Sequence, residues 1–335
     1  MNRLLVMDMS NILYKTFYVK DDKMTSHIAH KSIPQEEKDD LEIRSAFHRS
    51  LVSLNRYYLD HSPTTMICVF DRFNWRDDYS KSEECYSKRV YKGTRRQKQT
   101  PIEQQQYQRF KQFTNEFEAM LTEMTAIPCL SANLLEADDI IAGICKIYGG
   151  VDTAPDNGST FDHTEDHHEV TIVSADKDMI QLLRYDRVKL LDPATKKYRT
   201  LENTGNESVD LYLYVKYMRG DRGDNVASAF PRYRLKKIVE AYEDPYKHTN
   251  LMKSEWTDHE GNVMVVGEIF NENKLLTNLT HQPKHIQDIM LETIQTGLNS
   301  PKRFDRFQFV KFLKNNKLNN VNRLIDSYIP MLSMK

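Results

Sequence analysis

The chain has 335 residues, of which 39% are hydrophobic and 28% charged, and its net charge is −1. That is enough apolar material for a sizeable core, about two domains at roughly 150 residues each, and no apolar run is long enough to suggest a membrane span. Cys68, Cys85, Cys129 and Cys145 are scattered without metal-ligand or redox spacing, and the N-terminus opens on a strand pattern rather than a signal peptide. The expected setting is a reducing cytoplasm with buried free thiols, and no membrane partner.

In chain order, a strand is expected at Arg3–Asp8, then a polar segment through Asp40 and an amphipathic helix from about Leu41 to Leu59. A second strand, Thr65–Phe70, ends at Asp71. The charged stretch from Arg72 to Thr100, interleaved with aromatics, is too long and polar for an ordinary connection and reads as a functional flap. Pro101 opens a long helix to about Thr122. A short strand at Ile127–Leu130 and a helix from Glu136 follow. Residues 149–169 are a polar insertion without periodicity. Strands at Val170–Ser174 and Val188–Leu191 come next, and from Glu207 the pattern is helical. Strands alternating with helices predict an α/β fold with a mainly parallel central sheet. The expected division is 1–205, an α/β core with flap 72–100 and insertion 149–169, and 206–335, a helical region.

Carboxylates recur where strands should stop or helices begin: Asp8, Asp71, Glu136 with Asp138 and Asp139, Asp176 with Asp178, and Asp221 with Asp224. Open α/β sheets place ligands at the carboxyl ends of their strands. Taken singly, each motif is also an ordinary helix cap or an Asp/Gly/Asn turn. Taken jointly, the acids would repel one another unless cations lay between them, which predicts an all-oxygen site for Mg2+, with Mn2+ as a substitute. Basic residues gather separately, in Lys88–Lys98, in Arg232–Lys237 and along Lys302–Arg323, as a polyanionic partner would require. His163, His167 and His168 lack the regular spacing of a zinc site, and no P-loop or dinucleotide fingerprint is present.

In this order and spacing, the acidic motifs from Asp8 to Gly220-Asp221-Arg222-Gly223-Asp224-Asn225 resemble the 5′-nuclease superfamily. That family comprises flap endonucleases, phage 5′-3′ exonucleases and the 5′-nuclease domain of bacterial DNA polymerase. Glu272–Ser327 is most similar to its T-even phage ribonuclease H branch. The resemblance implies a PIN-like sheet with a helical arch and a helical C-terminal region that binds duplex DNA. Asp8, Asp71, Glu136 and Asp138 would serve one metal ion and Asp176, Asp178, Asp221 and Asp224 a second, while Asp139 matches an acidic position of the family that the resemblance assigns to neither site in particular. Lys92 and Arg95 match positions that engage the scissile phosphate; Lys88, Arg89 and Arg96 lie on the same basic arch. After Asn225 the sequence lacks the family's glycine-rich, potassium-binding hairpin, so Arg232, Arg234, Lys236 and Lys237 are expected to contact duplex phosphates instead.

The expected activity is metal-dependent hydrolysis at the 5′ end of RNA–DNA hybrids and of duplex or flapped DNA, removing RNA primers in phage replication within the host cytoplasm. Expected partners are DNA, RNA–DNA hybrid and a replication protein such as a single-strand DNA-binding protein. The alternatives are a non-catalytic module for branched nucleic acid and a PIN-like single-strand ribonuclease. Intact acidic motifs count against the first, and the long flap against the second.

Overall fold

Five strands run parallel: β1 (Arg3–Asp8), β2 (Thr65–Val69), β3 (Cys129–Leu130), β4 (Glu169–Val173) and β5 (Val188–Leu191). They form one sheet in the order β3-β2-β1-β4-β5, extended by the antiparallel β6 (Tyr198–Arg199). The chain builds outward from β1 in both directions, so the crevice beside β1 is the topological switch point of the sheet. The computed structural model describes residues 2–18, 35–97, 99–153, 168–231, 233–258, 261–300 and 302–334.

Alternation along the strands sends side chains to two separate cores. Leu5 and Met7 of β1 join Met66 and Cys68 of β2 on one face, while Leu4 and Val6 join Ile67 and Val69 on the other. Both faces are covered, which is why the strands read as unbroken apolar runs rather than an alternation. The first face is covered by α1 (Met9–Tyr18), α2 (Gln35–His61) and α3 (Pro101–Met124). The second face carries α4 (Ala137–Tyr148), the 3₁₀ segment Asp178–Arg184 and α5 (Lys284–Asn299). A capping box between Thr100 and Glu103 and a proline at its first position start α3 where the sequence places it.

Several expectations need correction. The segment after Asp8 is not simply polar: Met9, Ile12, Leu13 and Phe17 are buried at helical spacing, and they make α1. Residues 206–335 are not purely helical, because Glu255–Thr257 and Val263–Val265 pair as an antiparallel hairpin. Nor is the C-terminal region a body apart from the sheet. Phe309, Leu313, Val321, Tyr328 and Leu332 pack into the first core, and Ile286, Met290 and Ile294 into the second. Among the described residues of this region, those from about 209 to 270 have a core of their own, to which α6 (Val209–Arg219), α7 (Leu235–Glu243) and α8 (Val266–Thr277) contribute. Of the polar insertion, residues 154–167 lie outside the described residues, as do His163 and His167; Asp152 forms a bridge to Tyr185. Among the described residues, no helix is long and apolar enough to cross a membrane.

Candidate active site

A cavity of about 730 Å³ opens at the carboxyl end of β1, and Asp8, Asp71, Glu136, Asp138, Asp176, Asp178, Asp221 and Asp224 all line it. Eight of the nine carboxylates expected at a metal site thus converge, although they come from segments more than 200 residues apart in sequence.

Each is placed by local chemistry. Asp8 ends the central strand, accepts the N–H of Asn11 at 3.1 Å and the hydroxyl of Ser174 at 2.6 Å. Ser174 in turn accepts the N–H of Asp176 at 3.0 Å, so the loops after β1 and β4 share one hydrogen-bond chain. Arg199 holds the β4 loop from below, donating to the carbonyls of Ala175 and Asp176. Asp71 accepts the N–H of Ala137 at 2.8 Å, capping α4, whose first turn carries Asp138 into the cavity. Gly220 ends α6 at φ +65°, where an added Cβ would lie 2.2 Å from the carbonyl of Ala227; the turn to Asp221 therefore requires glycine. Asp221 then accepts the N–H groups of Gly223 and Asp224, closing the turn that presents both acids.

Asp139 is the exception. One helical step beyond Asp138 rotates its side chain about 100° away. It is fully buried and grips Arg76 through both oxygens, at 2.7 and 2.8 Å, and it does not line the cavity. In this structure it therefore forms a buried ion pair and stands apart from the acids with which the sequence grouped it as a metal ligand.

Cations already face the acids. Lys92 donates to Glu136 at 2.5 Å, Arg95 pairs with Asp224, and Lys216 pairs with Asp178 and lies 3.6 Å from Asp221. Lys216 escaped the sequence reading. Its signal was position: it lies one helical turn before Gly220, and with Tyr212 at i−4 it faces the Asp178 loop. The buried Tyr91 hydroxyl donates to Asp224 at 3.0 Å and lies 3.3 Å from Glu136. Tyr86 is likewise engaged, its hydroxyl accepting the N–H of Val265 at 3.0 Å. The aromatic wall of the cavity is Tyr14, Tyr107 and Phe110, with Lys111 over the Tyr107 ring at 5.7 Å.

Lys88 and Arg89 are exposed on the loop before Lys92, and Arg234, Lys236 and Lys237 are exposed at the start of α7, away from the cavity. Arg232 and the side chain of Arg96 lie outside the described residues. The segment 83–95 is not a free flap. It is tied to the Asp221–Asn225 turn by Lys92 N–H to the carbonyl of Asp224 at 2.8 Å and by Asn225 to the carbonyl of Val90 at 2.9 Å.

The electrostatics show what the acids lack. Burial, then Asp71 and Asp176, push Asp8 up to about 7. Burial followed by Asp176, Asp8, Glu136 and Asp71 holds Asp138 well above the carboxylate range. Burial also raises Glu136 and Asp178, against the opposing pull of Lys92 and Arg76 on the first and Lys216 on the second. Asp138 makes no hydrogen bond or ion pair with any described residue. These are hard oxygen donors crowded together without enough positive charge, which suits a divalent cation. Among the described residues no three of them have closed to the spacing of a formed ion cage.

A pH test follows for Asp8. Its folded-state value exceeds the unfolded one, so the stabilising form is the acid, fully effective below about pH 4 and lost as pH rises through about 7. In EDTA, Asp8→Asn should be more stable than the parent by on the order of 2–4 kcal/mol at pH 8 and nearly equal to it at pH 4. Melting curves at the two pH values decide it; the same difference at both would show that Asp8 does not titrate between them.

The family of 5′-3′ exonucleases, N-terminal resolvase-like domain, matches residues 3–210. Ribonuclease H of Enterobacteria phage T4 is 26% identical over 192 residues, which cover 56% of this chain and 57% of that protein, so the match spans little more than half of the relative's length. Among solved structures, the bacteriophage T5 D15 protein co-crystallised with metal ions superposes with a TM-score of 0.52 at 16% identity, over 94% of this chain and 98% of that one. The bacteriophage T5 D15 flap endonuclease in a complex with DNA and metal ions gives 0.54 at 15%, over 94% and 97%. At these identities the structural likeness speaks for the fold.

Proposed function

The chain belongs to the 5′-3′ exonuclease family, and on that premise we propose that it is a 5′ nuclease that hydrolyses phosphodiesters at the 5′ ends of RNA–DNA hybrids and of duplex or flapped DNA, using Mg2+, and removes RNA primers during phage replication. The observation that carries this reading is the convergence of eight carboxylates on one cavity beside Lys92 and Arg95.

Asp8, Asp71, Glu136 and Asp138 would hold one ion and Asp176, Asp178, Asp221 and Asp224 another, drawn inward from their present open arrangement. When bound, such ions supply nucleophile activation and charge neutralisation for phosphoryl transfer. Lys92 and Arg95 would exchange Glu136 and Asp224 for the phosphate. Burial depresses the Lys92 ammonium, but Glu136 and Asp224 outweigh it and lift its pKa above the ordinary value, so it stays charged at neutral pH. A charged donor held near the phosphate stabilises the negative charge that grows there. Tyr14, Tyr107 and Phe110 offer a platform for an unpaired base. Lys88, Arg89, Arg96, Arg232, Arg234, Lys236 and Lys237 would track backbone phosphates, with residues 206–277 as the main duplex contact. The likeness to a bacteriophage protein supports work in the host cytoplasm, where a single-strand DNA-binding protein would be a further partner.

The test is cleavage of a 5′-labelled flap and a matching RNA–DNA hybrid, each with Mg2+, with Mn2+ and with EDTA. Short labelled products are expected only with metal, and Asp178→Asn should lose them while remaining folded. Tight binding without cleavage under both metals would favour a non-catalytic binder and overturn the proposal.

A further inference from the structure

The segments that bring Lys92, Arg95, Asp221 and Asp224 to the cavity are both pinned from two consecutive residues of α8. Glu272 is 4% exposed, and its carboxylate accepts the backbone N–H groups of Tyr86 and Ser87 at 2.5 and 3.1 Å. Among the described residues it has no ion-pair partner; its charge is met by these backbone donors and by the neighbouring Cys85 thiol. Its neighbour Asn273 is fully buried, and its amide donates to the carbonyls of Tyr217 and Ala227 at 2.7 Å each, on either side of the Gly220–Val226 turn.

The two pinned segments also meet each other, through Lys92 N–H to Asp224 and Asn225 to Val90. Lys92 sits at φ +54° and Asn225 at +61°, conformations that persist only where the surroundings impose them. Further along, the carbonyls of Leu276 and Thr277 accept from Arg76 and Gln181, which reach toward the Glu136 and Asp178 segments. A buried carboxylate spent on two loop amides does little for stability that an apolar contact would not do as well. Its consequence is geometric: it sets where the 86–95 strap leaves the body of the protein.

We propose that Glu272 and Asn273 are positioning residues, Glu272 aligning Lys92 and Arg95 through the strap and Asn273 aligning the turn that carries Asp221 and Asp224. The proposal rests on the reading of Lys92 as a phosphate-contacting group.

The experiment uses the full-length protein. Glu272→Gln keeps side-chain length but offers an amide group where one acceptor oxygen stood. Single-turnover cleavage of the flap should fall about 100-fold, the scale of a misplacement near 1 Å, with little change in the half-saturating substrate concentration. In a background lacking both aligned groups, Lys92→Ala with Arg95→Ala, the same substitution should cost less than about threefold, because nothing remains for it to align. Amides of residues 86–93 should exchange faster with solvent while the melting transition stays cooperative. Equal losses in both backgrounds, or wild-type cleavage and unchanged exchange by Glu272→Gln, would overturn the proposal. Should Glu272→Gln not fold, Glu272→Asp, which keeps the charge and withdraws it by one methylene, must show the same pattern. If Lys92→Ala itself cleaves at the wild-type rate, the assigned role of Lys92 has failed, and amide exchange alone decides whether Glu272 holds the strap.

Discussion

Asp138→Asn should abolish metal-dependent cleavage and, in EDTA, raise the melting temperature. Both effects have one cause. Asp138 stands at the cavity without a hydrogen-bond or ion-pair partner among the described residues, and burial with four neighbouring carboxylates makes its charge unfavourable. The amide has the same shape and no charge, so the metal-free protein loses a group whose repulsions outweigh its attraction to Lys92. The same loss removes a donor from the proposed ion site. The expected fall in single-turnover rate is roughly 10³-fold, the scale for deleting one preorganised electrostatic group. Mg2+ should also cease to stabilise the variant as it does the parent. A variant that is less stable in EDTA, or that cleaves normally, would place Asp138 among the structural acids.

At the next position the same chemical change should do the reverse. Asp139→Asn is expected to destabilise the protein by about 3–5 kcal/mol, the scale of breaking a buried ion pair. Arg76 is 1% exposed and holds Asp139 with two hydrogen bonds and Glu136 with a third at 3.2 Å. Asparagine leaves that guanidinium with half its compensation in a site closed to water. The pair Arg76→Met with Asp139→Leu should recover part of the loss, since two apolar groups of similar volume leave no orphaned charge. Urea denaturation of the single and double variants measures it. An Asp139→Asn protein as stable as its parent would mean that Glu136 alone satisfies Arg76. Adjacent acids with opposite outcomes would separate the functional acid from the structural one more sharply than activity alone.

Much of the sheet was legible in the sequence because β1, β2, β4 and β5 are buried on both faces and therefore read as short apolar runs bounded by polar turns. The acids at their ends were legible for the same reason. Helix α1 was missed because its apolar positions Met9, Ile12, Leu13 and Phe17 alternate with Ser10, Asn11 and Lys15, and the polar stretch beyond masks so short a period. The hairpin at 255–265 was missed because three-residue strands leave almost no pattern of period two.

What the sequence determined by itself was the inventory: which acids, which cations, and which elements carry them. A strand or a helix is set by neighbours within a few residues, and those are written side by side. Which acid points at the cavity and which is locked away was decided only by tertiary structure. Asp138 and Asp139 differ by one step of a helix, and only the position of Arg76, contributed from more than 60 residues away, tells them apart. The same holds for Lys216 beside Asp178 and for Glu272 beneath the strap. Their roles depend on distances across the fold, and distance in space is the quantity that spacing along a chain does not encode.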